Sequence, residues 1–509
     1  TCEGGPVSVT PSRRAVLTAA AVGAAGLRLG TAAGASRVQP LPATSDPVLH
    51  AVRRLSYGPT PTLMSTVRQM GVQAWVADQL ASKTLADPQT DALVETFATS
   101  RLPAPALNAL MDEGLRDPVG ELQTATTVRA AWGERQLGEL LVELWSNHFS
   151  IDASLTKVRA FKVPDDRDVV RAHALGTFRD LLQASAQSPA MLSYLDNAIS
   201  RGDRPNENYA RELLELHTVG VHGGYVQRDV RNAALVFTGW TVDATTGAFR
   251  YEPTWHHVGP VAVMGWQSDN RDPAAGVAVG QSLLDYLAAH PATARRIATK
   301  LVRRFVDDEP PGSLVESTAA VLRANGTAVI PAVEHIVASA EFARSAGRKT
   351  RRPFEWFVAS VRALGLSFVP YAGLTEDRGI NDALGRLGQL PFGWHPPDGY
   401  PDLAVVWTST ASLLTRWDLA QALVSGGVSG LQAFDAKTFL GTPVPATAGA
   451  LVDAVAARIL GAPPRPGLRE PLVRSLGKPS AAALTAAEAT ALTPELAALV
   501  LSSPDMQVR

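Results

Sequence analysis

The sequence predicts a mainly α protein: one large multi-helix domain, a single small β-hairpin and a C-terminal helical tail. Three observations carry this. Apolar residues recur at three- and four-residue spacing along most of the chain, the period of amphipathic helices. Hydrophobic residues make up 46% and charged residues 19% of 509 positions, a core-forming composition rather than a disordered one. Strand-like runs are sparse, and the best of them is 238–251.

The first element reads as an address over residues 1–35. Ser12-Arg13-Arg14 precedes a mild apolar run from Ala15 to Gly26, and Ala33-Gly34-Ala35 is a small-residue cleavage candidate. A paired arginine before such a run is expected of a twin-arginine export signal. This predicts a mature chain that is periplasmic, associated with the cell envelope or secreted. The run is too short for a bilayer, which takes about 20 apolar residues. No later stretch reaches that length uninterrupted, so no transmembrane span is expected in the mature chain. Cleavage would remove Cys2, the single cysteine, and with it any disulfide framework or Cys-based zinc site.

After a linker at 36–47, the main helical domain is expected over 48–430. Helical runs fall at 65–81, 134–149, 169–184, 206–217, 285–305, 328–343, 353–364 and 411–425. In the second of these, Leu137, Leu140, Leu141, Leu144 and His148 share one stripe. The hairpin pairs Trp240-Thr241-Val242 with Phe249-Arg250-Tyr251 around a turn at 244–247. Gly426, Gly427 and Gly430, then Pro443 and Pro445, mark the boundary before a helical segment at 431–509.

The chain carries 47 Lys and Arg against 48 Asp and Glu. That balance excludes a nucleic-acid partner, which needs clustered positive charge to displace counterions. No HExxH zinc motif, GxSxG elbow or phosphate-binding loop occurs. Chemistry instead concentrates between residues 143 and 257. Asn206 to Gly220 is the densest polar string, with Pro205 and Asn206 at its start and Gly220 at its end. Asn208, Arg211, Glu212 and Glu215 fall on one helical face; Tyr209, Leu213 and Leu216 fall on the other, with His217 among them. Glu212 and Glu215, three residues apart, could ligate a divalent metal or act as an acid/base pair. Equally, Glu207–Arg211 and Arg211–Glu215 are i,i+4 ion pairs of a solvated face. His148 and His217 each end an amphipathic helix on its apolar side. Such a pair could bind a metal or act as a base, or be two core histidines. His217, His222, His256 and His257 crowd into 41 residues.

These strings resemble the bacterial domain of unknown function 1800 family over roughly residues 48–425. The resemblance rests on Trp145-Ser146-Asn147-His148-Phe149, Ala190 to Asn197, Asn206 to Gly220, Thr238-Gly239-Trp240 and Pro396-Pro397-Asp398-Gly399-Tyr400. Arg53 to Thr60, His290 to Ala294, Phe305-Val306, Gly388-Gln389 and Arg416 extend it. It implies a predominantly helical, exported bacterial protein without a settled activity. It also implies gene neighbours related to the exported alkaline phosphatase and sulfatase group. Two departures stand out: His257 and Val261 replace an Asp and a Lys usual in the family, and Gly399-Tyr400 stands where Gly-Trp is usual.

Two readings follow. In the first, an exported hydrolytic or metal-assisted enzyme acts on cell-envelope or extracellular material through His148, Asp196, Glu212, Glu215, His217 and His256. Trp145, Asn147, Asn197, Asn206, Glu207, Asn208, Arg211 and Trp240 then support or position, and a divalent metal is a candidate cofactor. In the second, the chain is a non-catalytic binding or assembly protein whose partner is another exported protein.

Overall fold

The computed structural model describes residues 46–81, 85–370 and 379–509. The expected export signal, Cys2 and nearly all of the linker lie outside the described residues. Helices dominate, and one buried apolar cluster runs from Leu49 to Met506. The helix Thr410–Ser425 packs along Ala486–Ser502. Trp356, fully buried, donates its Nε1 to the Leu501 carbonyl at 3.2 Å. The 431–509 segment therefore shares its core with the helices before it. Among the described residues no helix is long and apolar enough to cross a membrane.

Most periodic runs become helices with ends that local chemistry explains. Asp46 caps Pro47–Leu55, and Thr485 with Glu488 forms a capping box at the start of Ala486–Ser502. The run at 65–81 is two helices, Pro61–Met70 and Val72–Leu80, parted at Gly71 with φ +82°. The run at 285–305 is likewise split, because Pro291 starts a new helix after His290.

Two runs change pitch. Residues Asp165–Arg171 precede Phe178–Ala186 as a π-helical stretch, and the string after Asn206 is α-helical over Glu207–Glu212 and π-helical over Leu213–His217. A π turn is wider by one residue, so the face predicted from 100° steps drifts. Leu214 is buried as a result, and Leu216, expected in the core, is half-buried.

The sequence predicted one hairpin, and the described residues form two. Trp240–Val242 pairs with Phe249–Tyr251 as expected, and Val261–Val263 pairs with Trp266–Ser268. The second turns at Met264 and Gly265, both with positive φ, the geometry of a type I′ turn. Met-Gly is a poor signal for that turn, and the Tyr286 hydroxyl compensates by donating to the Met264 carbonyl at 2.6 Å. Val261, one of the departures from the family pattern, is a buried residue of this hairpin.

A buried ion network ties distant elements together. Glu355, in the first turn of Pro353–Leu364, accepts from Arg304 and, at 2.9 Å, from the Arg352 backbone, and forms an ion pair with Arg509 at 3.2 Å. Arg304 and Arg352 also reach Glu143, at 3.0 and 2.8 Å. Burial alone would raise the Glu355 carboxyl, but Arg304, Arg509 and Arg352 hold it well below its ordinary value.

Candidate functional site

The helix Gln136–His148 delivers Trp145, Asn147 and His148 to the centre of the chain. Trp145 is fully buried and donates to the Ala174 carbonyl at 2.9 Å. His148 lies with its Nε2 3.0 Å from the carbonyl of His217, and the two rings are 6.2 Å apart between centroids. The structure thus brings the two histidines together, inside a box of Phe149, Phe178 and Tyr209. Neither ring nitrogen of His217 has a hydrogen-bond partner among the described residues. Burial, reinforced by Lys300, pushes His148 well below the usual imidazole range and His217 to about 3. Both are neutral at pH 7.

His256 belongs elsewhere. Its Nδ1 lies 2.9 Å from the Thr238 carbonyl and its Nε2 2.9 Å from Asn270 Oδ1, joining the two hairpins. Asn197 supports the first hairpin from below, donating to the carbonyls of Phe237 and Trp240 at 3.1 and 3.2 Å. Trp240 is fully buried. Asp196, in the left-handed region at φ +57°, pairs with Lys157 on the surface. Asn206 caps its helix by accepting from the exposed Asn208 at 2.9 Å. The polar face of that helix carries the ion pairs of a solvated surface: Arg211 with Glu207 at 3.1 Å and with Glu215 at 3.7 Å. Gln227 and Tyr225 extend it, donating to Glu207 and Glu215 at 2.7 Å each.

Glu212 departs from that pattern. It is half-buried and makes no hydrogen bond or ion pair among the described residues. Burial first, then Glu215 and Asp398, raise its carboxyl against the pull of Arg211. Asp398 belongs to the segment 394–400, which the sequence analysis read only as part of a motif. Its partner Trp394 donates to it at 2.8 Å. The close approach is set by Gly399: a Cβ there would lie 2.0 Å from the Asn147 carbonyl oxygen. The next residue, Tyr400, donates its N–H to Asn147 Oδ1 at 3.2 Å.

This segment brings a pair that sequence reasoning missed. His395 Nδ1 is 2.6 Å from Asp152 Oδ2; the Asp152 side chain is 2% exposed and that of His395 78%. Burial would raise the Asp152 carboxyl, but His395 and the Ser154 donors hold it below its ordinary value. A buried carboxylate on one imidazole nitrogen fixes ring orientation and tautomer and leaves the other nitrogen for chemistry. Tyr194 donates to the His395 carbonyl at 2.8 Å. Burial and the charges of Asp152, Glu212 and Asp398 push its phenol up to about 12. Lys300, on Pro291–Phe305, is half-buried with no hydrogen-bond partner among the described residues. Burial, with Arg296 and Arg303, drives it down to about 7, opposed by Asp398.

Three of the quoted strings therefore meet around Tyr194, where titratable groups are pushed in opposite directions, and Asn147 brings a fourth against Gly399 and Tyr400. Beside this cluster, Asn147, Ile151, Trp394 and Tyr400 line a narrow cleft of about 40 Å³. Tyr400 also lines a hollow of about 570 Å³ with Ser154 and Gly393. Among the described residues, no three or more His, Cys, Asp or Glu side chains gather as metal ligands would.

The family described as "Protein of unknown function (DUF1800)" matches residues 50–508. No curated protein and no solved structure matches the chain.

Proposed function

The chain belongs to the DUF1800 family, and we propose that it is an exported hydrolase acting on cell-envelope or extracellular material. The observation that carries this reading is the Asp152–His395 pair, a sealed carboxylate aligning an open imidazole. His395 takes a proton from water or a substrate hydroxyl, and Asp152 stabilises the imidazolium that forms. Glu212, whose raised carboxyl keeps its proton longer than usual, returns a proton to the leaving group.

The test uses isolated cell-wall material and panels of chromogenic esters and glycosides. His395→Ala and Asp152→Asn should each lower turnover by about 10²–10⁴-fold, the range for positioned acid–base groups, with unchanged circular dichroism. Equal turnover in the unsubstituted chain and His395→Ala would overturn the reading. Metal analysis of the same preparations, with Glu212→Gln and His217→Ala, tests the metal-assisted form.

The buried aromatic packing of His148 and His217 favours a second reading, a non-catalytic partner of another exported protein. Failure to recover any stable partner from periplasm or culture fluid would count against it.

A further inference from the structure

A cavity of about 330 Å³ lies away from the cleft, between Pro88–Glu95, Ala98–Arg101, Pro118–Trp132 and the π-helical Asp165–Arg171. The reaction proposed above uses none of its residues. Its floor is apolar, built from Phe97, Leu122, Ala125 and Val163. Its rim carries the exposed pair Arg101–Glu95. Most charges in the wall are paired: Asp91 with Arg135 at 2.8 Å, Glu121 with Arg116 at 3.0 Å and Arg167 with Asp168 at 2.7 Å.

Two are not fully used. The Arg129 guanidinium has no ion pair or hydrogen bond among the described residues, and its Nη1 is buried without a partner. Asp166 is 1% exposed; Arg171 holds its Oδ2 at 2.6 Å, and its Oδ1 is buried with no partner. Arg129 and Asp166 feel each other's charge but form no ion pair. Buried guanidinium and carboxylate groups are ordinarily paired, since losing water without compensation is costly. Asp166 is also carried by a π-helical stretch, a distortion found frequently at functional sites.

We infer that this cavity binds a small α-amino or α-hydroxy carboxylate. Its carboxylate accepts the planar fork of Arg129, the geometry that favours arginine over lysine for such groups. Its neighbouring ammonium or hydroxyl donates to Asp166 Oδ1, and a short side chain rests on Phe97 and Val163. The volume sits at the low end of small-molecule sites, roughly 300–1,000 Å³, which selects a short side chain. The Asp166 charge selects against phosphate and sulfate, which offer it a second negative group and no donor.

Isothermal titration of the full chain with L-alanine, D-alanine, L-lactate, acetate and inorganic phosphate tests this. Alanine or lactate should bind saturably, acetate at least ~10-fold more weakly because it lacks the donor, and phosphate not at all. A preference for alanine assigns an ammonium and one for lactate a hydroxyl; either supports the site. Arg129→Gln should abolish binding, and Arg129→Lys should weaken it at least ~10-fold by keeping charge without the fork. Arg129 holds no internal bond, so both variants should melt like the unsubstituted chain. The inference is overturned by no saturable binding to alanine or lactate, by undiminished binding in Arg129→Gln, or by acetate or phosphate binding as tightly. A crystal structure grown with alanine that shows only ordered water between Arg129 and Asp166 overturns it too.

Discussion

Glu355 and Asp166 are both carboxylates almost wholly removed from water, and they end in opposite conditions. Glu355 is surrounded by Arg304, Arg352 and Arg509 and also accepts a backbone N–H. Asp166 has one arginine and one idle oxygen. The Glu355 network joins the helices Gln136–His148, Pro291–Phe305 and Pro353–Leu364 to Arg509, and three guanidiniums around one carboxylate make it a fastener. Each π-helical stretch carries idle polar atoms, Asp166 Oδ1 on one and the His217 ring nitrogens on the other, whereas the idle atoms of the Glu355 network are nitrogens of guanidiniums already paired with the carboxylate. The contrast separates a carboxylate that holds the fold from one that keeps an oxygen free for a ligand.

The largest way to break that comparison is Glu355→Gln. It leaves three buried guanidiniums short of an anion and should cost about 3–5 kcal/mol, the scale for removing one partner of a buried ion pair, read by chemical denaturation. A loss below about 1 kcal/mol would mean the network is not a fastener.

His217→Phe comes next. The folded imidazole protonates at about 3, whereas an unfolded histidine does so near 6.5. Above 6.5 neither state is protonated and nothing is lost. As pH falls from 6.5 towards 3 the unfolded chain takes up the proton first, so stability drops by up to about 1.4 kcal/mol per pH unit. The Phe variant should be spared that share, so its melting temperature should gain on the unsubstituted chain at pH 5 relative to pH 7. An unchanged gap would place His217 in a hydrated site.

Lys300→Met sharpens the other end of the pH range. Folded Lys300 releases its proton at about 7 and an unfolded lysine near 10.5. The unfolded chain therefore holds more protons between those values, and stability should rise with pH across that window. The Met variant should lose that rise. The slope should be smaller than for His217, because Lys300 is only half-buried. The smallest effect belongs to Arg129→Gln, within about 0.5 kcal/mol in melts without ligand; a loss as large as that of Glu355→Gln would erase the contrast.

Much of the fold was legible in sequence because helical burial repeats every three to four residues. Leu137, Leu140, Leu141 and His148 are buried on one side of their helix as their spacing requires. The ion pairs of Glu207, Arg211 and Glu215 were equally legible, being local contacts one helical turn apart. The second hairpin was not, since its Met264-Gly265 turn depends on Tyr286 from a later helix. The pair His395–Asp152 spans 243 positions, and neither residue has a local pattern. The one available signal was the Pro396 to Tyr400 string beside it, read as a family mark rather than as part of a cleft.

Sequence alone determined the helical class, the inward placement of His148 and of His217 on their helices, and the solvated face of the 206–217 helix. Each follows from periodicity, which is a property of neighbours along the chain. Tertiary structure decided that those histidines meet, sealed and neutral, that His256 serves the hairpins, and that Asp152, His395, Glu212 and Asp398 gather around Tyr194. Burial and charge proximity set those outcomes, and both depend on which distant segments pack together.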